Sequence, residues 1–199
     1  MSSLMILGTS AELELMKEMR TAEYLKTINW LKDNVPQYKT VFLECVTKSD
    51  SFIEDYFPVV YSACHDPRYI NQGSNHGRAL KKFFELYEPE EDIIVQTTGR
   101  YHFTSTHFFD TIEKNPGYDF YSKDMGEGNY FTGCFAMKKE YMIRWVNETD
   151  WDELNYRMIN FETSVRNFVV NNKLKMYNFD TIHMDCNVFG KGNPQRGYV

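Results

Sequence analysis

An unbroken β-branched run, Ile93-Ile94-Val95, follows the acidic, proline-containing cluster Glu88, Pro89, Glu90, Glu91, Asp92 and precedes Gln96-Thr97-Thr98-Gly99-Arg100-Tyr101. A short apolar run with turn-forming residues on both sides reads as a buried strand. Two hydroxyls and a glycine, which is free to take positive φ, then end it and deliver the Arg100 guanidinium to a loop. In open α/β sheets ligands bind outside the carboxyl ends of the strands, so Arg100 stands where an anionic ligand is expected. A surface ion pair with an acidic neighbour accounts for it equally well.

The rest of the chain fits around such a strand. Leu4 to Leu7, followed by Gly8-Thr9-Ser10, reads as a first strand and turn, with a helix as the alternative. From Ala11 to Leu31 apolar residues recur at helical spacing, with a break near Thr21 that would cap a second helix burying Tyr24 and Trp30. Thr40–Val46 predicts a second strand, with Glu44 facing solvent on its polar alternation. Phe57–Ala63 predicts a third, which Pro58 places at an edge or starts at Val59. Tyr69–Leu80 is a polar loop with Asn71, Gly73, Asn75 and Gly77, entering a helix over Ala79–Tyr87. It either turns backbone amides toward an anion or is a structural turn with a glycine hinge.

Beyond the TTGRY segment, Phe108–Ile112 is helical, Asn115-Pro116-Gly117 is a turn, and Tyr118–Tyr121 alternates as a strand does. Tyr130–Met137, YFTGCFAM, predicts a strand in which Gly133 marks a bulge or a close backbone approach. Helices follow over Lys138–Val146 and, along the Phe161, Val165, Phe168 stripe, to about Asn171. Lys173–Tyr177 reads as an edge strand, and Thr181–Met184 leads into a glycine-rich terminal segment containing Lys191. Strands alternating with helices indicate an α/β sandwich with a mixed, mainly parallel sheet flanked by helices.

At 199 residues one domain, residues 1–199, is expected, either complete or as one module of a longer chain. A net charge of −6 argues against general nucleic-acid binding and leaves room only for a local basic cleft. Cys45, Cys64, Cys134 and Cys186 show no C-x-x-C spacing and read as free thiols in a reducing compartment. No apolar run suits a signal peptide or membrane span, so a cytoplasmic protein is expected, in the host cytoplasm if viral.

With these pieces in order, the chain resembles the GT-A type of nucleotide-sugar glycosyltransferase, a small α/β fold. Three segments carry the resemblance: the N-x-G loop at Asn71 and Gly73 ahead of a helix, the IIVQTTGRY strand and loop, and FTGCFAMKKEYM. T-G-R-Y runs of this kind are similar to those of transferases from large DNA viruses and bacterial polysaccharide clusters. The resemblance implies a UDP- or GDP-linked sugar donor and a glycan or other hydroxyl acceptor. It assigns Asn71, Gly73, Thr98, Gly99, Arg100, Tyr101 and Lys191 to the donor, and Thr132 and Gly133 to the acceptor side. The chain departs from the family in having no D-x-D after Val95, which leaves dependence on a divalent cation such as manganese open.

The chemistry requires neutralisation of a diphosphate leaving group, for which Arg100 and Lys191 are the candidates, and a carboxylate base. Glu162 is the first candidate for that base and Asp185 the second, and Glu162 reads equally well as a solvent-facing helix residue. His183 and Asp185, two apart, would share one side of a strand and offer a metal two ligands; a structural histidine is the alternative. His102 and His107 flank the central loop and either border the sugar or are surface residues, the latter being expected of each. Tyr101, Phe103, Tyr130 and Phe131 either stack on a base or sugar or fill the core, the latter being expected of at least two. Two other classes stay open: a metal-dependent hydrolase built on His183 and Asp185, and a non-catalytic nucleotide- or carbohydrate-binding domain. The oligomeric state is not legible.

Overall fold

A computed structural model describes residues 3–9, 14–45, 48–99, 101–126, 129–190 and 193–198. The central sheet is built from β1 (Ser3–Thr9), β2 (Lys39–Glu44), β3 (Val59–Tyr61), β4 (Ile93–Thr98), β6 (Phe120–Ser122), β7 (Cys134–Lys138) and β8 (Met176–Asn178). Strand β5 (His102–Phe103) instead pairs with β9 (Met184–Gly190), which forms a hairpin with β10 (Asn193–Tyr198) in a second, three-stranded sheet. The seven-stranded order is β3-β2-β1-β4-β7-β6-β8. Strands β1 to β4 are parallel, whereas β7 runs against both β4 and β6. The sheet is therefore mixed and mainly parallel, as the alternation of elements predicts.

Period-two alternation sends successive apolar residues to opposite cores. On one face Phe42, Ile93, Val95 and Ala136 pack with Ile28 and Leu31 of α1 (Glu14–Asn34) and Phe108, Phe109 and Ile112 of α3 (His107–Lys114). On the other, Val41, Leu43, Ile94, Phe135 and Met137 meet α2 (Gln72–Leu86), α4 (Lys139–Glu148) and α6 (Phe161–Asn171). Trp145 of α4 lies wholly inside that second core, and its indole N–H donates to Ser164 Oγ at 3.0 Å, which satisfies its one polar atom. The short α5 (Trp151–Tyr156) is capped by Asp150, which accepts from Glu153 N.

Several local expectations are corrected. Helix α1 runs through Thr21 without a break. Its neighbours Arg20 and Ala22 are good helix formers, and one threonine costs a helix only a few tenths of a kcal/mol. Helix α2 begins at Gln72, so Ser74, Asn75, His76 and Gly77 are helical rather than loop. Glu44 is buried, not solvent-facing, at 6% exposure. The strand expected from Tyr130 begins only at Cys134, and the glycine-rich terminal segment carries the β9–β10 hairpin. Pro58 precedes β3, which is both an edge strand and starts at Val59. The four cysteines are free, three of them buried. No helix among the described residues is long and apolar enough to cross a membrane.

Candidate functional site

Strand direction determines where ligand-binding loops collect. Because β7 is antiparallel to β4, its amino end arrives at the edge where β1, β2, β3 and β4 finish. That edge carries Glu44, Tyr61, Thr98, Gly133 and Cys134. Strand order departs from β1 in opposite directions, to β2 on one side and β4 on the other. A reversal of this kind puts the switch point at the carboxyl ends of β1 and β4, the place where open α/β sheets bind ligands.

The loops after β4 and before β7 are locked together there. Thr98 N donates to the Gly133 carbonyl at 3.1 Å, and Thr97 Oγ1 donates to the same carbonyl at 3.0 Å. Tyr101 N returns to the Thr98 carbonyl, and Thr27 Oγ1 of α1 donates to the Tyr101 carbonyl at 3.2 Å. The Tyr101 and Phe131 rings stack, with centroids 5.9 Å apart and planes 15° apart. A Cβ at Gly133 would fall within the Tyr101 ring and 2.6 Å from Phe131 Cζ, and one at Gly99 would fall within the Tyr24 ring. Both glycines are therefore required for close approach, which the sequence suggests at Gly133; Gly99, expected to supply positive φ, does not take it and is needed for its missing side chain instead. Phe103 is core, Tyr130 packs on Phe120, and Tyr101 and Phe131 pack against the core's edge.

Glu162 reaches the same edge from the first turn of α6, where Asn160 caps the helix by accepting from Thr163 N and the dipole favours a negative side chain. Thr132 Oγ1 donates to Glu162 Oε1 at 2.7 Å, so the base candidate and the acceptor-side threonine meet across 30 residues of sequence. Glu162 is half-buried, not a solvent-facing helix residue.

Asn71 and Gly73 are explained locally. Asn71 Oδ1 accepts from Gly73 N at 3.0 Å as the cap of α2, and its Nδ2 donates to the Ile159 carbonyl at 2.5 Å. A Cβ at Gly73 would lie 2.7 Å from Phe161 Cβ. These two residues thus bring the amino ends of α2 and α6 together beside Glu162.

The remaining candidates lie apart or outside. Arg100 and Lys191 fall outside the described residues. His183 has φ 61° just before β9 and is exposed, with its ring 5.3 Å from that of His107. The same-side argument for His183 and Asp185 on one strand therefore does not hold. Asp185 is half-buried on β9, in register with His102. His102 is half-buried rather than on the surface; desolvation, and then Lys26, lower its pKa, and Asp185 opposes them. His107 is exposed, as expected. No three His, Cys, Asp or Glu side chains cluster among the described residues in a way that would hold a metal ion.

Sequence reasoning missed one pair. Gln96 of β4 is wholly buried, and its Nε2 lies 3.1 Å from His76 Nε2 of α2. Burial lowers the His76 pKa from 6.5 to about 4, so the imidazole is neutral at physiological pH. The available signal was an amide directly after the apolar run Ile93-Ile94-Val95, inside the strand IIVQTT. Its partner, 20 residues away, could not be read from spacing.

No protein-family model and no curated protein sequence matches the chain. Solved structures do share its fold. A protein assigned as a nucleotide-diphospho-sugar transferase from Desulfovibrio desulfuricans G20 aligns with a TM-score of 0.57 at 10% identity, covering 90% of this chain and 80% of its own. A nucleoside-diphosphate-sugar pyrophosphorylase from Vibrio cholerae RC9 aligns with a TM-score of 0.58 at 10% identity, covering 88% and 90%. A glycosyltransferase involved in glycosylation of the major capsid of PBCV-1 aligns with a TM-score of 0.52 at 12% identity, covering 90% and 81%. At such identities the likeness is one of fold, and the chain has the mixed α/β sandwich of nucleotide-sugar transferases.

Proposed function

We propose that this protein is a glycosyltransferase that moves a sugar from a UDP- or GDP-linked donor to a hydroxyl of a glycan or similar acceptor. The observation that carries the reading is the Thr132–Glu162 hydrogen bond at the carboxyl edge of the sheet. It sets a carboxylate in one orientation next to the loop that Gly133 ties to the end of β4, and Glu162 Oε2 has no hydrogen bond among the described residues. In a transfer with inversion, the acceptor hydroxyl loses its proton to Glu162 as its oxygen bonds to the anomeric carbon. The bond to the nucleoside diphosphate breaks in the same step. Arg100, between Gly99 and Tyr101, and Lys191 neutralise the departing charge in this reading. Asp185 is the second candidate for the base. His183 and Asp185, even taken together, are fewer ligands than a divalent cation usually takes from protein, and they do not share one side of a strand, so the reading assigns no role to a metal ion.

Thermal unfolding with UDP-, GDP- and dTDP-sugars, with and without manganese, tests the reading. At about 100 times Kd a bound donor adds roughly 2.7 kcal/mol of stability, an upward Tm shift of several degrees. Arg100→Ala is expected to abolish the shift, and an unchanged shift would remove Arg100 from the donor site. Glu162→Gln is expected to lower kcat by about 10²- to 10⁴-fold while leaving donor binding intact. The fold it shares with a pyrophosphorylase gives a second reading, nucleotidyl transfer. Product analysis separates the two: glycosyl transfer releases nucleoside diphosphate, and nucleotidyl transfer releases pyrophosphate.

A further inference from the structure

Strand β4 ends with two buried polar oxygens that find no partner among the described residues. Gln96 is fully buried and its Oε1 has no hydrogen-bond partner among the described residues; the same is true of the buried Thr98 Oγ1. A dry, unpaired amide oxygen disfavours a folded state, so its presence in the core calls for a reason. Both side chains share the parity of Ile94, which faces the core under α2 and α6. On that face a circuit of contacts links these elements. Gln96 meets His76, whose ring lies 5.2 Å from that of Phe161. The next residue, Glu162, accepts from Thr132, and the Gly133 carbonyl that follows accepts from Thr98 N.

Within this circuit Gln96 has no accessible surface, and of the two residues only His76 retains any. With Gln96 Nε2 donating to His76 Nε2, the ring proton must sit on Nδ1, which makes no hydrogen bond to the described residues. We infer that His76 donates this N–H to a hydroxyl oxygen of a neutral donor sugar, and that Gln96 is a positioning residue that fixes the tautomer; the inference rests on the transferase reading. An uncharged sugar moiety beside the Glu162 carboxylate suits a hydroxyl-rich hexose. A sugar carboxylate would meet the negative charge of Glu162.

Titration calorimetry with UDP, UDP-glucose and UDP-glucuronate, and with GDP and GDP-mannose, tests this on the full chain. Wild type is expected to bind the neutral sugar nucleotide about tenfold or more tighter than the free nucleotide, and tighter than the uronate. His76→Phe removes that sugar increment while nucleotide binding is unchanged, and His76→Asn, whose amide can donate from a similar position, restores part of it. Gln96→Met reduces the increment several-fold, and nitrogen-shift NMR shows His76 losing its single tautomer. Unfolding midpoints of the variants confirm that each is folded; one that does not fold is replaced by Gln96→Glu, for which NMR titration reads a raised His76 pKa. A uronate preference, or an increment that survives in folded His76→Phe, overturns the inference alone. Wild type that binds no nucleotide or nucleotide sugar overturns the transferase reading and this inference with it.

Discussion

Gly77 shows how one hydrogen in place of a methyl group can decide packing. Inside a helix, Gly→Ala normally gains roughly 1 kcal/mol. At Gly77, however, a Cβ would fall within the Trp151 ring, which is 4% exposed and tied by its indole N–H to the Val146 carbonyl at 3.0 Å. That ring cannot swing aside, so overpacking of about 1–3 kcal/mol outweighs the propensity gain, and Gly77→Ala is expected to lower the urea midpoint. The His76 pKa has a consequence at the same scale. Its folded value, about 4, lies below the ordinary 6.5, so the unfolded chain binds more protons between those two pH values. Stability is complete above about pH 6.5 and falls as the pH drops toward 4. Between pH 7 and pH 5 the expected loss is about 2 kcal/mol, and comparing urea unfolding of wild type and His76→Phe checks it, because the variant should lack this part of the slope.

At the scale of elements, the Asn71 cap makes three connections: it starts α2, it accepts from Gly73 N, and it holds the Ile159 carbonyl ahead of α6. Asn71→Ala is expected to cost about 1–3 kcal/mol, the lost cap plus an orphaned carbonyl, with faster amide exchange in the first turns of both helices. Most elements were legible because their signals are local: the β-branched run of β4, the Pro58 boundary, and the Phe161, Val165, Phe168 stripe of α6. The start of α2 was not, because Asn, Gly and Ser favour turns and caps alike. Only the tertiary seat against Phe161 and Trp151 explains glycines at positions 73 and 77. Glu44 was misplaced for a similar reason: alternation assigns a face but does not show that both faces are covered. The site was half legible. Glu162 and Thr132 could be named from the sequence, but not their contact, and Gln96 was hidden by a partner on another element.

For the whole molecule, the two cores share one sheet: Ile93 and Val95 point into one, Ile94 into the other. Neither layer keeps its floor when the other is lost, so a single cooperative unfolding transition is expected. Far-UV dichroism and tryptophan fluorescence should coincide, the latter reporting Trp30 at the first core and Trp145 and Trp151 in the second. Ile28→Ala and Val165→Ala, in opposite cores, should each lower that same transition by about 2–5 kcal/mol for the isoleucine and less for the valine. Two separate transitions would mean that the faces fold independently. The reversed direction of β7 has a further consequence. It brings Tyr101 onto Gly133, so the ring at one position occupies the space the other lacks. Among descendants of this chain the two positions are expected to drift as a pair: a side chain can be gained at 133 only where the ring at 101 has first been reduced, and the order of those two steps is fixed by sterics.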